Sequence, residues 1–133
     1  MQGRVLVDRY RLERIIGEGA MGAVWRAEHL ALGMPVAVKI IHAQAARTDQ
    51  AMRRFRREAR VAARIRSAHV VQMLDHGDDG EQPFIVMEWL QGESLRERLD
   101  RVERLDALDT ARVVTHVCRA LSQAHAKGLV HRD

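Results

Sequence analysis

Between Ile16 and Lys39 the chain sets three glycines, Gly17, Gly19 and Gly22, in a G-x-G-x-x-G spacing, follows them with Val24, and ends the run Val36-Ala37-Val38 on a lysine. Glycine has no Cβ, so such a turn brings bare backbone close to a ligand. Several nucleotide-binding folds share the spacing, and the residues after it narrow the choice. A dinucleotide-binding βαβ unit needs a helix after the glycines and an acidic residue about 20 positions on. Here Ala23-Val24-Trp25-Arg26-Ala27-Glu28 reads as a strand without a helix N-cap, and Lys39 stands where the acid is required. A Walker A loop needs Gly-Lys-Ser/Thr, which does not follow these glycines. What remains is a glycine-rich hairpin between two antiparallel strands, with a third strand ending in a cation. Such a hairpin lays backbone over phosphates and aims Lys39 at them.

Residues two apart on a strand share a face. Ala37 and Lys39 therefore point one way, and Val36, Val38 and Ile40 the other. One face offers a small residue and a cation; the other is a β-branched core stripe. A flat base passes Ala37 while Lys39 reaches its phosphates.

Gly17-Glu18-Gly19-Ala20-Met21-Gly22-Ala23-Val24, then Val36-Ala37-Val38-Lys39, then His131-Arg132-Asp133 resemble three signatures of protein kinases, in family order. The wording is closest to bacterial serine/threonine kinases of the eukaryotic-like (Hanks) type, and the resemblance runs from about Tyr10 to Asp133. It implies an α+β fold: a kinase N-lobe of five antiparallel strands plus one helix over residues 10–90, then the first helices of the C-lobe over 91–133. It also implies transfer of the ATP γ-phosphate to protein serine or threonine hydroxyls. The nucleotide contacts it implies are Ile16, Gly17, Glu18, Gly19, Ala20, Met21, Gly22, Val24, Ala37 and Lys39. At the hinge they are Met87, behind the adenine pocket, and the backbone of Glu88 and Leu90. Glu58 would position Lys39, and Asp133 would accept the proton of the substrate hydroxyl. The catalytic-loop asparagine and Asp-Phe-Gly aspartate that hold Mg²⁺ in the family do not occur here, so the metal ligands are expected beyond Asp133. A chain lacking them is expected to turn over little alone. Two other readings are a noncatalytic ATP-binding or regulatory fragment and an arginine-rich interaction protein.

At 133 residues, with 47% hydrophobic and 30% charged side chains, the composition is that of one globular domain. Kinase catalytic domains are roughly twice this long. No apolar run approaches a membrane span and Met1-Gln2-Gly3-Arg4 opens no signal peptide, so a cytoplasmic protein is expected. Seven arginines fall between Arg53 and Arg66, yet the formal net charge is +4 and Phe55 is the single aromatic among them, which favours a solvated face over a nucleic-acid partner. Cys118, the sole cysteine, reads as a core residue of an apolar helix face.

In chain order, residues 5–7 read as a lead-in and 10–16, 23–29 and 36–41 as strands. A helix is predicted over 49–66 with Met52, Phe55, Ala59 and Ala62 on its buried face and Glu58 at the edge. Strands over 70–76 and 83–89 flank the turn Asp78-Asp79-Gly80-Glu81. Ser94 and Glu97 spell a capping box before Leu95 and Leu99. Asp106 caps a long helix carrying Ala111, Val114, Cys118, Leu121 and His125 at helical spacing, and Gly128 ends it. The apolar side of that last helix is expected to stay uncovered.

Overall fold

Alternating apolar residues and a glycine hairpin give a sheet, and the sheet dominates the molecule. The structure, a computed structural model, describes residues 1–19, 22–42, 52–53, 57, 59–60, 63–80 and 82–130. Its strands are β1 (Val5–Leu6), β2 (Tyr10–Gly19), β3 (Gly22–His29), β4 (Met34–Ile41), β5 (Met73–Asp79) and β6 (Gln82–Glu88). They form one sheet in the order β1-β2-β3-β4-β6-β5, antiparallel throughout. All five predicted strands are present. The lead-in supplies a sixth, a two-residue edge strand pairing Val5 with Arg11 and Leu6 with Tyr10. Leu6 is buried, which explains why so short a strand is held.

One face of the sheet is the core. Leu6, Tyr10, Leu12, Ala23, Trp25, Ala27, Val36, Val38, Ile40, Phe84 and Val86 form a single buried cluster. The predicted stripe Val36, Val38 and Ile40 lies within it, and Ala37 and Lys39 face away. Tyr10 packs edge-on against Phe84, with ring centroids 6.1 Å apart. Its hydroxyl donates to the Asp75 carboxylate at 2.6 Å. Burial, then that hydrogen bond to Asp75, pushes the Tyr10 phenol above its ordinary pKa.

The fourth predicted strand starts later and runs further than expected. The Val70 N–H donates to the Ser67 carbonyl in a turn, so pairing begins at Met73 and continues to Asp79. Asp75 and Asp79 are poor strand formers held there by ion pairs, Arg9 to Asp75 at 2.9 Å and Arg4 to Asp79 at 2.6 Å. Gly77 lies opposite Phe84, where an added Cβ would stand 2.9 Å from Phe84 Cζ.

Of the predicted 49–66 helix, Met52, Arg53, Arg57, Ala59 and Arg60 are described as helical, and Ala59 is buried as expected. Phe55, Glu58 and Ala62 lie outside the described residues. Two further helices follow β6, α1 (Leu95–Val102) and α2 (Ala107–Ala126). The capping box of α1 is complete: Glu97 N–H donates to Ser94 Oγ, and Ser94 N–H donates to Glu97 Oε2. That donation from the Ser94 backbone holds the Glu97 carboxyl below its usual range. Asp106 Oδ1 accepts the Asp109 N–H at 2.7 Å, capping α2. Gly128, at φ +72°, and Leu129 donate to the carbonyls of His125 and Ala124, a Schellman end.

No residue of either helix is buried. Leu108, Val114 and Val117 are exposed, as expected of an uncovered apolar side. Cys118 is a correction, being exposed rather than in a core. The side of α2 that is partly covered carries Asp109, Val113, Ala120, Leu121 and Ala124, so of the five predicted positions Leu121 alone lies on it.

Candidate functional site

Antiparallel partners share a face, so register shows which side chains meet on the side of the sheet opposite the core. Two alternate rungs, separated by the core-facing rung Ile15, Trp25, Val38, Val86, carry the predicted site. One runs Gly17, Val24, Lys39, Ile85; the other runs Arg14, Arg26, Ala37, Met87. Val24, Lys39 and Met87 are partly covered and Ala37 is buried. Gly17, the cation, the small residue and Met87 thus lie within two rungs, although Gly17 and Met87 are 70 residues apart in sequence. The arrangement puts Ala37 between Arg26 and Met87 on one rung, with Val24 and Lys39 beside each other on the other.

The hairpin pairs down to Gly19 opposite Gly22, with register irregularities between Leu12 and Arg14 and between Ile15 and Gly17. Ile16 sits in the second irregularity and is 37% exposed. Glu18 pairs with Ala23. An added Cβ at Gly19 would meet no described atom within 4 Å. Gly22 differs. A Cβ there would stand 2.1 Å from the Ile40 carbonyl oxygen, and thus Gly22 is required by the close passage of β3 along β4. Sequence reading assigned all three glycines to ligand approach. Nothing in the sequence could have shown the second reason, because it depends on where the β4 backbone runs.

β6 sets Met87 beside Ala37 and Glu88 beside Val36. The Glu88 N–H donates to the Gln72 carbonyl at 3.0 Å, and its carboxylate accepts the Gln72 N–H at 2.8 Å. Trp89 and Leu90 follow outside regular structure, and Leu90 is exposed. Ala20, Met21, Glu58 and Asp133 lie outside the described residues, so the predicted Lys39–Glu58 pairing and the placement of Asp133 do too.

Sequence reading passed over Arg26 and Trp89. Arg26 pairs with Glu13, and its guanidinium carbon lies 5.8 Å from the Trp89 ring centroid. The signal was available, since Arg26 is two residues beyond Val24 and must share its face. On the far side of the hinge Arg101 and Arg98 converge on Glu93 and hold its carboxyl below the usual range.

Ala37, the bare backbone at Gly19 and the cation at Lys39 suit a planar base carrying a polyphosphate. Among the described residues no cluster of three or more His, Cys, Asp or Glu side chains is placed to hold a metal. No described helix is long and apolar enough to cross a membrane.

A family profile described as protein kinase domain matches residues 10–133. The chain is 39% identical over 133 residues to a probable serine/threonine-protein kinase, pknA2, of Bifidobacterium longum, covering 98% of this chain and 18% of that protein. It is 38% identical over 136 residues to the serine/threonine-protein kinase PknA of Mycobacterium tuberculosis, covering 98% and 32%. The crystal structure of the Mycobacterium tuberculosis PknI kinase domain superposes with a TM-score of 0.88 at 32% identity, covering 100% of this chain and 53% of that one. The chain therefore spans a third or less of these curated relatives and about half of the solved domain.

Proposed function

Since the chain belongs to the protein kinase family over residues 10–133, we propose that the sheet face bearing Val24, Ala37 and Lys39 binds ATP, and that the protein phosphorylates serine or threonine on protein substrates. The observation that carries this is the pair of rungs that sets Lys39 beside Val24 and Ala37 beside Met87. Val24 and Ala37 sandwich the adenine, and the backbone of Glu88 and Leu90 holds its edge. The turn from Gly17 to Gly22 covers the phosphates, and Lys39 takes the α- and β-phosphates. In phosphoryl transfer such positioning and charge neutralisation supply most of the catalysis.

Two roles rest on motif match. Glu58 orients Lys39, and Asp133 accepts the proton of the attacking hydroxyl. Mg²⁺ bound with the nucleotide would supply further neutralisation of phosphate charge.

Thermal denaturation with and without ATP tests the assignment. Lys39→Met is expected to abolish nucleotide-induced stabilisation while leaving the ligand-free melting temperature in place, because Lys39 is outside the core cluster. Unchanged stabilisation would remove Lys39 from the site.

A further inference from the structure

A second cation shares the face of Lys39 and has no part in the nucleotide reading. Arg26 lies on the rung Arg14, Arg26, Ala37, Met87, directly across from Ala37. Glu13 on β2 pairs with its guanidinium, and the Trp89 ring lies 5.8 Å away. The two ion-pair partners are 32% and 33% exposed, so the pair is part-covered beside Ala37. Trp89 is the first residue after β6 and stands between Glu88 and Leu90. The paired positions of β4 and β6 end at Val36 opposite Glu88, so Trp89 leaves the sheet just where the base-binding backbone is needed.

A guanidinium is suited to this position because it is planar and forked. It engages a carboxylate in its plane while its face rests on an aromatic ring. A lysine retains charge without that double fit.

We propose that Glu13, Arg26 and Trp89 form a clamp that fixes the hinge backbone and thereby sets affinity for the base, with Arg26 as a positioning residue. The inference rests on the ATP reading above and adds a residue set to it. The clamp acts on the base and leaves the phosphates to Lys39 and the glycine turn, which makes the two contributions separable.

Binding of adenosine and of inorganic tripolyphosphate to the chain, measured by calorimetry, tests this. Arg26→Met is expected to weaken adenosine about fivefold, the worth of one exposed cation–π contact, and to leave tripolyphosphate unchanged. Lys39→Met is expected to do the reverse, and Arg26→Lys to restore part of the adenosine affinity. Unchanged adenosine affinity in Arg26→Met, or equal loss of both ligands, would overturn the clamp. Acrylamide quenching of Trp89 in a Trp25→Phe background gives a reading that needs no nucleotide. Quenching is expected to rise when Arg26→Met is added, and no rise overturns the clamp. A wild-type chain that binds neither ligand refutes the ATP reading and the effect on base affinity, while the quenching result still decides the contact. Should Arg26→Met fail to fold, Glu13→Gln, which leaves the guanidinium without its anion, serves in its place with the same expectations.

Discussion

The three glycines of the hairpin are not equivalent, and replacing them singly by alanine separates folding from ligand approach. At Gly22 the new Cβ would lie 2.1 Å from the Ile40 carbonyl oxygen. Relief requires β3 to retreat from β4 by roughly 1 Å, since carbon and oxygen resist closer approach. The retreat falls on the last two rungs, Gly22 opposite Ile41 and Ala23 opposite Ile40. Two backbone hydrogen bonds at about 1 kcal/mol each set the scale, which agrees with the roughly 1–3 kcal/mol typical of overpacking. At about 4 °C per kcal/mol, Gly22→Ala should melt about 5–10 °C below wild type. At Gly19 an added Cβ would meet no described atom within 4 Å, and Gly19→Ala should melt within about 2 °C of wild type while weakening nucleotide binding. Circular dichroism melts of the ligand-free chain check both. Equal melting temperatures for the two variants would refute the steric account of Gly22.

Phe84 is 2% exposed, faces Gly77 across the ladder and packs on Tyr10. Phe84→Ala should therefore cost about 3–5 kcal/mol, read from urea midpoints, and a loss under about 1 kcal/mol would contradict its place in the core. Asp75 gives the acid limb of stability. Burial pushes its carboxyl up, but the Tyr10 hydroxyl, the His76 N–H and Arg9 outweigh burial and hold it below the ordinary carboxylate range. In that interval the unfolded chain binds more protons than the folded one, so the contribution is complete above a pH of about 4 and is lost as pH falls below it. Wild type should then lose more urea resistance between pH 7 and pH 3 than Asp75→Asn does; parallel losses would refute the assignment.

Local signals survived into the structure where a short stretch of chain satisfies itself. The capping box of Ser94 and Glu97, the Asp106 cap and the Gly128 terminus each involve residues within a few positions of one another, and each is present. The two faces of β4 were legible for a related reason, since period-two alternation is fixed by the pleat itself. Features decided by distant chain were not legible. Val70 and Val71 look more like strand residues than Asp78 and Asp79, yet the strand lies over the latter, where Arg4 reaches Asp79 and Gln82 from the other end of the sheet. Cys118 sits among apolar residues at helical spacing, which marks an amphipathic helix without saying which side finds a neighbour. Within the site, Val24, Ala37 and Lys39 were readable from motif and parity. Arg26 was open to the same parity argument, but its meeting with Trp89 was not legible, because that depends on how β3 and the end of β6 converge.

The opposition of core and site across β4 has a consequence for how such a chain tolerates insertion and deletion. One residue added inside the strand would exchange Val36, Val38 and Ile40 for Ala37 and Lys39, burying a charge and turning aliphatic side chains onto the face opposite the core in one step. One residue added in the exposed connection at Leu30, Ala31, Leu32 and Gly33 changes neither face, because the turn absorbs the length before pairing resumes. Length is thus free to drift between the strands, while within them even and odd positions carry separate obligations, one set to folding and the other to chemistry.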